Sequence, residues 1–195
     1  MQKIILASQS PRRKMLLEWA EIEFEVIVKH TDESYPPGLD PQQVATHIAK
    51  NKALAVQSYV QHAFHGLSAE RPVVAADTIV VLDNRVIGKP QSRDEAISTL
   101  QSLSGKQHRV ITGVAILHTK GEIIFADTTE VWFHPLTDDQ IIFYVDKYKP
   151  YDKAGAYAIQ EWIGVVGIKS ISGDFYNVMG LPVSRVIQAL HTINL

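Results

Sequence analysis

The sequence predicts an α/β fold built on a mixed β-sheet. Three observations carry that expectation. Apolar runs of strand length interleave with helical segments, helix-start signals stand directly after several strands, and at least two turn sequences join neighbouring strands as hairpins. A length of 195 residues, 46% hydrophobic and 21% charged, suffices for a sizeable core in a single domain over 1–195, and two lobes around a cleft are also compatible with it.

Lys3 to Ala7 reads as a buried strand, and Ser10-Pro11 after it is an N-cap followed by proline at the first helical position. The helix so opened is expected to reach about Ala20 and to bury Met15, Leu16 and Trp19. Phe24 to Val28 is the next strand, and it empties into the polar segment His30 to Gly38. Asp40-Pro41 restarts a helix by the same device, with Val44, Ile48 and Ala55 on one face and Lys50 and Lys52 further round.

Val73 to Leu82 is the most strand-like segment, and Asp83-Asn84 turns it into Arg85 to Ile87. Ser92 with Glu95 forms a capping box for a helix through Ala96, Leu100 and Leu103 that stops at Gly105. Val110 to Leu117 and Ile123 to Phe133, joined at Lys120-Gly121, read as a long antiparallel hairpin, and Thr137 with Gln140 gives a second capping box. Beyond Lys149-Pro150 the chain is glycine-rich and irregular until a strand at Val165 to Ile171 and a closing helix after Pro182. The stretch Tyr148 to Gly164 is long for a compact domain and reads as a functional loop.

Composition narrows the chemistry. With no cysteine, disulfides, thiolate nucleophiles and Cys-ligated zinc are excluded. A formal charge of -2 argues against a general binder of nucleic acid or membrane surfaces. Met1 to Ala7 is apolar but too short for an export signal, and no stretch reaches the length of a membrane span, so a soluble cytoplasmic protein is expected. The eight histidines show no tight ligand spacing, so zinc is not expected either.

Ser8-Gln9-Ser10-Pro11-Arg12-Arg13 stands where a strand ends and a helix begins, a place where free N–H groups and the helix dipole favour an anion. Two arginines in the first turn oppose that dipole by roughly 0.3–1 kcal/mol each, so they call for a negative partner. Either Ser8, Ser10, Arg12 and Arg13 hold phosphates, or Ser10 merely caps the helix and the arginines pair with carboxylates such as Glu18. Asp77 stands among apolar neighbours in Val73 to Leu82, where an unpaired charge would cost several kcal/mol. Either it stands at a strand end or cleft edge beside a cation, which a metal ion, a lysine or a substrate-bound metal would supply, or it is a structural salt-bridge or turn-capping aspartate. Asp32, Glu33, Lys52, Lys89 and Lys153 supply further charge of the kinds that suit magnesium and phosphate.

Ser8-x-Ser10-Pro11-Arg12-Arg13, Ala76-Asp77-Thr78, Gly88-Lys89-Pro90, Asp152-Lys153-Ala154-Gly155-Ala156-Tyr157-Ala158-Ile159-Gln160 and Gly180-Leu181-Pro182 together resemble the Maf family in order and spacing, from residue 4 to about residue 185. The resemblance implies an elongated mixed sheet flanked by helices, with two lobes around a deep cleft. It implies metal-dependent hydrolysis of nucleoside triphosphates to monophosphate and pyrophosphate by a cytoplasmic homodimer, with magnesium or manganese as the divalent ion. Asp77 matches the proton acceptor for the attacking water, and Glu33 with Asp77 is the expected metal pair. Ser8, Ser10, Arg12, Arg13, Lys52, Thr78, Lys89, Lys153 and Gln160 are the expected substrate contacts. Arg12, Thr78 and Gln160 match the positions that mark the branch preferring dTTP and UTP, and a glutamine amide suits the alternating edge of a pyrimidine. The segment Gly173-Asp174-Phe175-Tyr176-Asn177 departs from some members, which bears on base contacts or the dimer surface. A nucleotide-binding regulator without turnover, or a phosphatase releasing orthophosphate, would use many of the same phosphate contacts.

Overall fold

A computed structural model describes residues 3–63 and 70–193. Met1 and His65, two residues weighed in the sequence reading, lie outside the described residues. In chain order the strands are β1 (Ile4–Leu6), β2 (Phe24–Val26), β3 (Val73–Leu82), β4 (Arg85–Ile87), β5 (Gln107–His118), β6 (Gly121–Phe133) and β7 (Ile168–Ser172). The helices are α1 (Pro11–Trp19), α2 (Pro41–Ala63), α3 (Arg93–Leu103), α4 (Asp138–Tyr148), α5 (Trp162–Gly167), α6 (Phe175–Met179) and α7 (Val183–Thr192), and Ala154–Ala156 forms a 3₁₀ turn.

The strands form one seven-stranded sheet in the order β2-β1-β3-β5-β6-β7, and β4 pairs with β3. β1 runs parallel to both β2 and β3, with Ile4 opposite Phe24 and Ile5 opposite Val73. β4 is antiparallel to β3 and β7 antiparallel to β6, so the sheet is mixed as predicted. The chain divides into two compact units. The first comprises the described parts of Met1–Asp77, Thr112–Asp127 and Gly180–Leu195; the second comprises Thr78–Ile111 and Thr128–Met179.

In the first unit, strand alternation and helix periodicity meet in one apolar cluster. Ala49, Ala53, Val56 and Val60 recur at helical spacing along α2 and pack against Ile5 and Ala7, Val73 and Ala75, and Ala115 and Leu117, which occupy alternate positions of three strand segments. Gly113 continues that parity on β5, and a Cβ there would lie 2.2 Å from the Ala45 carbonyl carbon, so α2 lies directly on the strand at this glycine. The same parity puts Asp77, two residues after Ala75, on the α2 side of β3. In the second unit α3 packs on α4 and on the 3₁₀ turn. The Arg93 guanidinium donates to both oxygens of Asp146 across the helix pair at 2.6 and 2.9 Å, which holds that carboxyl below its usual range.

Local signals account for most boundaries. Asp83 and Asn84 both adopt left-handed φ, 48° and 64°, as a tight hairpin between right-twisted strands requires. Thr137 and Gln140 form the full reciprocal box. Ser92 accepts from Glu95 N, but the Glu95 carboxylate turns to Gln91 N rather than Ser92 N, so only half of that box forms. Asp40 and Gln43 form an unpredicted reciprocal pair, at 2.8 and 3.0 Å, that opens α2.

Three expectations are corrected, and one helix, α6, has no counterpart among them. α1 buries Leu16 and Leu17, whereas Trp19, in its last turn, is 62% exposed and Met15 only half-buried. On α2 the buried stripe runs through Ala53, Val56 and Val60, and Ala55 lies at its margin. Val165 to Ile171 is not one strand: Trp162–Gly167 is a short helix and β7 begins at Ile168. α6, which begins within the segment that departs from some family members, carries no strong local helix signal; its buried Asn177 donates to Val110 O and Thr129 Oγ1 at 3.1 and 3.0 Å.

Candidate active site

The first unit carries seven of the expected residues: Ser8, Ser10, Arg12, Arg13, Glu33, Lys52 and Asp77. Ala7 continues β1 into Ser8, and the chain turns there into α1 with Pro11 at its first position. Ser10 makes no side-chain cap; instead its N–H donates to Ser8 Oγ at 3.2 Å. The Arg13 guanidinium points inward, with Nη1 donating to Ser8 Oγ at 3.1 Å and Nε to Gly180 O at 2.7 Å. One arginine thus ties the first motif to the last. Glu18 meets Lys14 at 3.8 Å, not an arginine. Burial lowers the Arg13 pKa, Asp77 and Glu33 oppose that effect, and Arg12 adds to it. Those three charges therefore all act on Arg13.

Asp77 is 9% exposed and its cation is Lys52 of α2, whose Nζ donates to Asp77 Oδ1 at 2.7 Å. The same ammonium lies 2.6 Å from Glu33 Oε1. Lys52 is held to Asp77 because it projects from α2 toward the strand that α2 covers, and Asp77 has the parity that faces it. Asp32 is committed elsewhere: it accepts from the Ser34 N–H and hydroxyl at 2.9 and 2.7 Å, which lowers its pKa. Among the described residues no three His, Asp or Glu side chains group closely enough to hold an ion by themselves. Asp77 and Glu33 are two hard oxygen donors converging on one cation, the protein contribution a magnesium ion takes when phosphates and water complete its shell. The donor set therefore fits such an ion.

The second unit carries Thr78, Lys89, Lys153 and Gln160. Thr78 follows Asp77 in β3 and is half-buried, while Lys89 is exposed in the loop after β4. Gly155 N donates to Gly88 O at 3.2 Å, which ties the Lys89 loop to the Lys153 loop. Gly155 has φ +69° and its missing Cβ would lie 2.9 Å from Val80 Cγ2, so both its backbone and its surroundings call for glycine. Lys153 is only 7% exposed, with its ammonium 2.8 Å from Asp152 and 3.5 Å from Glu161. Gln160 is exposed at the far end of that loop.

Sequence reading did not single out Glu161, Tyr144 or His108. Glu161 accepts from the Tyr144 hydroxyl as well as facing Lys153. His108, buried, pairs its Nε2 with Tyr157 Oη at 2.8 Å and packs edge-on against Phe133 and Tyr157. Burial lowers the His108 pKa to about 4 and raises that of Tyr157 well above its ordinary value, so both are neutral at pH 7. These contacts join residues far apart in the chain, and no short-range pattern announces them.

The sequence profile described as Maf-like protein matches residues 3–193. The dTTP/UTP pyrophosphatase of Cytophaga hutchinsonii is 49% identical over 190 residues, covering 96% of this chain and 82% of that protein. The dTTP/UTP pyrophosphatase of Parabacteroides distasonis is 46% identical over 189 residues, covering 96% and 94%. Among solved structures, the Ham1 protein of Staphylococcus aureus superposes with a TM-score of 0.51 at 16% identity over the full length of both chains, a likeness of fold alone. With its profile spanning nearly every residue and relatives at almost half identity, this chain belongs to the Maf family.

Proposed function

We propose that this protein hydrolyses nucleoside triphosphates, dTTP and UTP foremost, to the monophosphate and pyrophosphate, acting as a single-domain cytoplasmic homodimer. The observation that carries the reading is the Asp77–Lys52–Glu33 arrangement, a buried and an exposed carboxylate around one ammonium beside an arginine-bearing helix start. The names of the relatives support the substrate class.

In the reaction the oxygen of a water attacks the α-phosphorus and the bond from that phosphorus to the α–β bridging oxygen breaks, releasing pyrophosphate. Asp77 Oδ1 is held by Lys52, which fixes the carboxylate in orientation, and the second oxygen takes the proton from the attacking water. Ser8, Ser10, Arg12 and Arg13 are the proposed phosphate contacts, with Arg13 already set in direction by Gly180 O. Thr78, Lys89, Lys153 and Gln160 are proposed substrate contacts from the family resemblance, Arg12, Thr78 and Gln160 being those that select the pyrimidine. A divalent ion bound through Asp77 and Glu33, magnesium or manganese, would acidify water and neutralise phosphate charge.

The test is pyrophosphate release from dTTP by purified protein with magnesium, comparing wild type with Asp77→Asn. Loss of a general base of this kind slows a reaction by about 100-fold or more. Wild-type rates in the variant would remove Asp77 from its role. Orthophosphate as the first product would indicate a phosphatase, and tight binding without product would indicate a regulator.

A further inference from the structure

Gln160 occupies the third position of a four-residue turn, and the hydroxyl of one buried tyrosine fastens both ends of it. Ala158 O accepts from Glu161 N at 3.1 Å, which closes the turn. Tyr144, fully buried on α4, accepts from Ala158 N at 3.2 Å and donates to Glu161 Oε2. The first and last residues of the turn therefore meet on a single oxygen. Stacking on Tyr148, with centroids 4.9 Å apart, holds the Tyr144 ring. The other oxygen of Glu161 lies 3.5 Å from Lys153 Nζ, at the start of the same loop. The turn is also seated on Gly164, where an added Cβ would lie 1.7 Å from Ile159 O.

We propose that the Tyr144 hydroxyl is a specificity-positioning group: by latching residues 158–161 it fixes where the Gln160 amide meets the base, and through Glu161 it couples that turn to Lys153. The inference rests on the reading of Gln160 as a base contact. An amide discriminates between bases by leaving donors and acceptors unpaired against the wrong one, and it does so only when it cannot move to follow that base. Gln160 is exposed, so its own packing does not confine it; the confinement comes from the backbone turn beneath it.

Tyr144→Phe keeps the ring and removes the hydroxyl that forms the latch. In the full-length enzyme with magnesium, kcat and KM are measured for dTTP, UTP, CTP and GTP. The expected result is a fall of about tenfold in the ratio of kcat/KM for dTTP to that for GTP, carried mainly by KM for dTTP, with kcat changed by less than about threefold. Glu161→Gln retains an oxygen that accepts from Tyr144 and is expected to keep the selectivity ratio, whereas Glu161→Leu removes both that acceptor and the carboxylate facing Lys153 and is expected to lower the ratio at least as far as Tyr144→Phe. Hydrogen exchange at the Ala158 amide is expected to accelerate in Tyr144→Phe and Glu161→Leu and not in Glu161→Gln. A folded Tyr144→Phe enzyme with wild-type selectivity and wild-type exchange at Ala158 would overturn the proposal. A wild-type enzyme without pyrimidine preference, or Gln160→Ala with unchanged selectivity, would instead remove the base-contact reading, and the proposal with it.

Discussion

Acidification tests the interior of the second unit through a single side chain. His108 is 2% exposed, its Nε2 is engaged by Tyr157 Oη at 2.8 Å, and its Nδ1 has no hydrogen-bond partner among the described residues. An imidazolium donates from both nitrogens, so a proton added here would leave one charged N–H unsatisfied. Burial accordingly depresses the folded pKa from an ordinary 6.5 to about 4. Because the folded value lies below the unfolded one, the unfolded state binds more protons between pH 6.5 and 4, and stability is lost as pH falls through that window. At pH 5 the linkage amounts to about 2 kcal/mol, rising to about 3 kcal/mol below pH 4. Urea unfolding of wild type and His108→Gln at pH 7.5 and pH 5 isolates the contribution, since the amide keeps a hydrogen-bonding group for Tyr157 and does not titrate. The wild type should lose about 2 kcal/mol more than the variant between the two conditions. Equal losses would mean that the imidazole is not held neutral by burial, and the account of the His108–Tyr157–Phe133 cluster would be wrong.

Two substitutions probe the first unit. Gly113→Ala places a Cβ 2.2 Å from the backbone of Ala45, so α2 must move off the sheet; a destabilisation of about 1–3 kcal/mol is expected by chemical unfolding, together with reduced pyrophosphate release because Lys52 moves with the helix. Wild-type stability there would show that α2 does not rest on β5 at that point. Lys52→Met leaves Asp77 and Glu33 without their shared ammonium, and it should cost up to about 3 kcal/mol at neutral pH and lower activity by at least about tenfold. Unchanged unfolding and turnover would reduce the Lys52–Asp77 contact to a solvated pair.

The family resemblance carried the site list, but the physical reading of the same residues reached different depths. Asp77 could be recognised as needing a cation because nearly every neighbour in its strand is apolar, and burial of a charge has few remedies. Which cation it would be was open. The strand parity of Val73, Ala75 and Asp77 was present in the sequence, and so was the helical stripe Ala49, Ala53 and Val56 that covers it. Only the docking of α2 on that face turned the two patterns into a 2.7 Å contact between residues 25 positions apart. The arginine pair was likewise legible as an electrostatic anomaly at a helix start, whereas the bond of Arg13 to Gly180 O, 167 residues away, was not.

Errors of element type fell where local and tertiary preferences conflict. Val165 to Ile171 has the composition of a strand, yet its first three residues end the six-residue helix α5, too short to stand on propensity and placed by packing that brings Gly164 against Ile159 O. The segment from Gly173 to Asn177 offers no periodicity, and α6 there is held by the bonds of Asn177 to Val110 O and Thr129 Oγ1.

The sequence by itself determined what short-range physics controls: the mixed α/β class, the start of α1 at Pro11, the reciprocal cap at Thr137, the tight turn at Asp83-Asn84, and the demand of Asp77 for a positive partner. The tertiary structure alone decided which side chains share an atom. Lys52 between Asp77 and Glu33, Arg13 on Gly180 O, and Tyr144 on both ends of the Gln160 turn are contacts whose energies depend on distance in space, and distance along the chain carries almost no information about that.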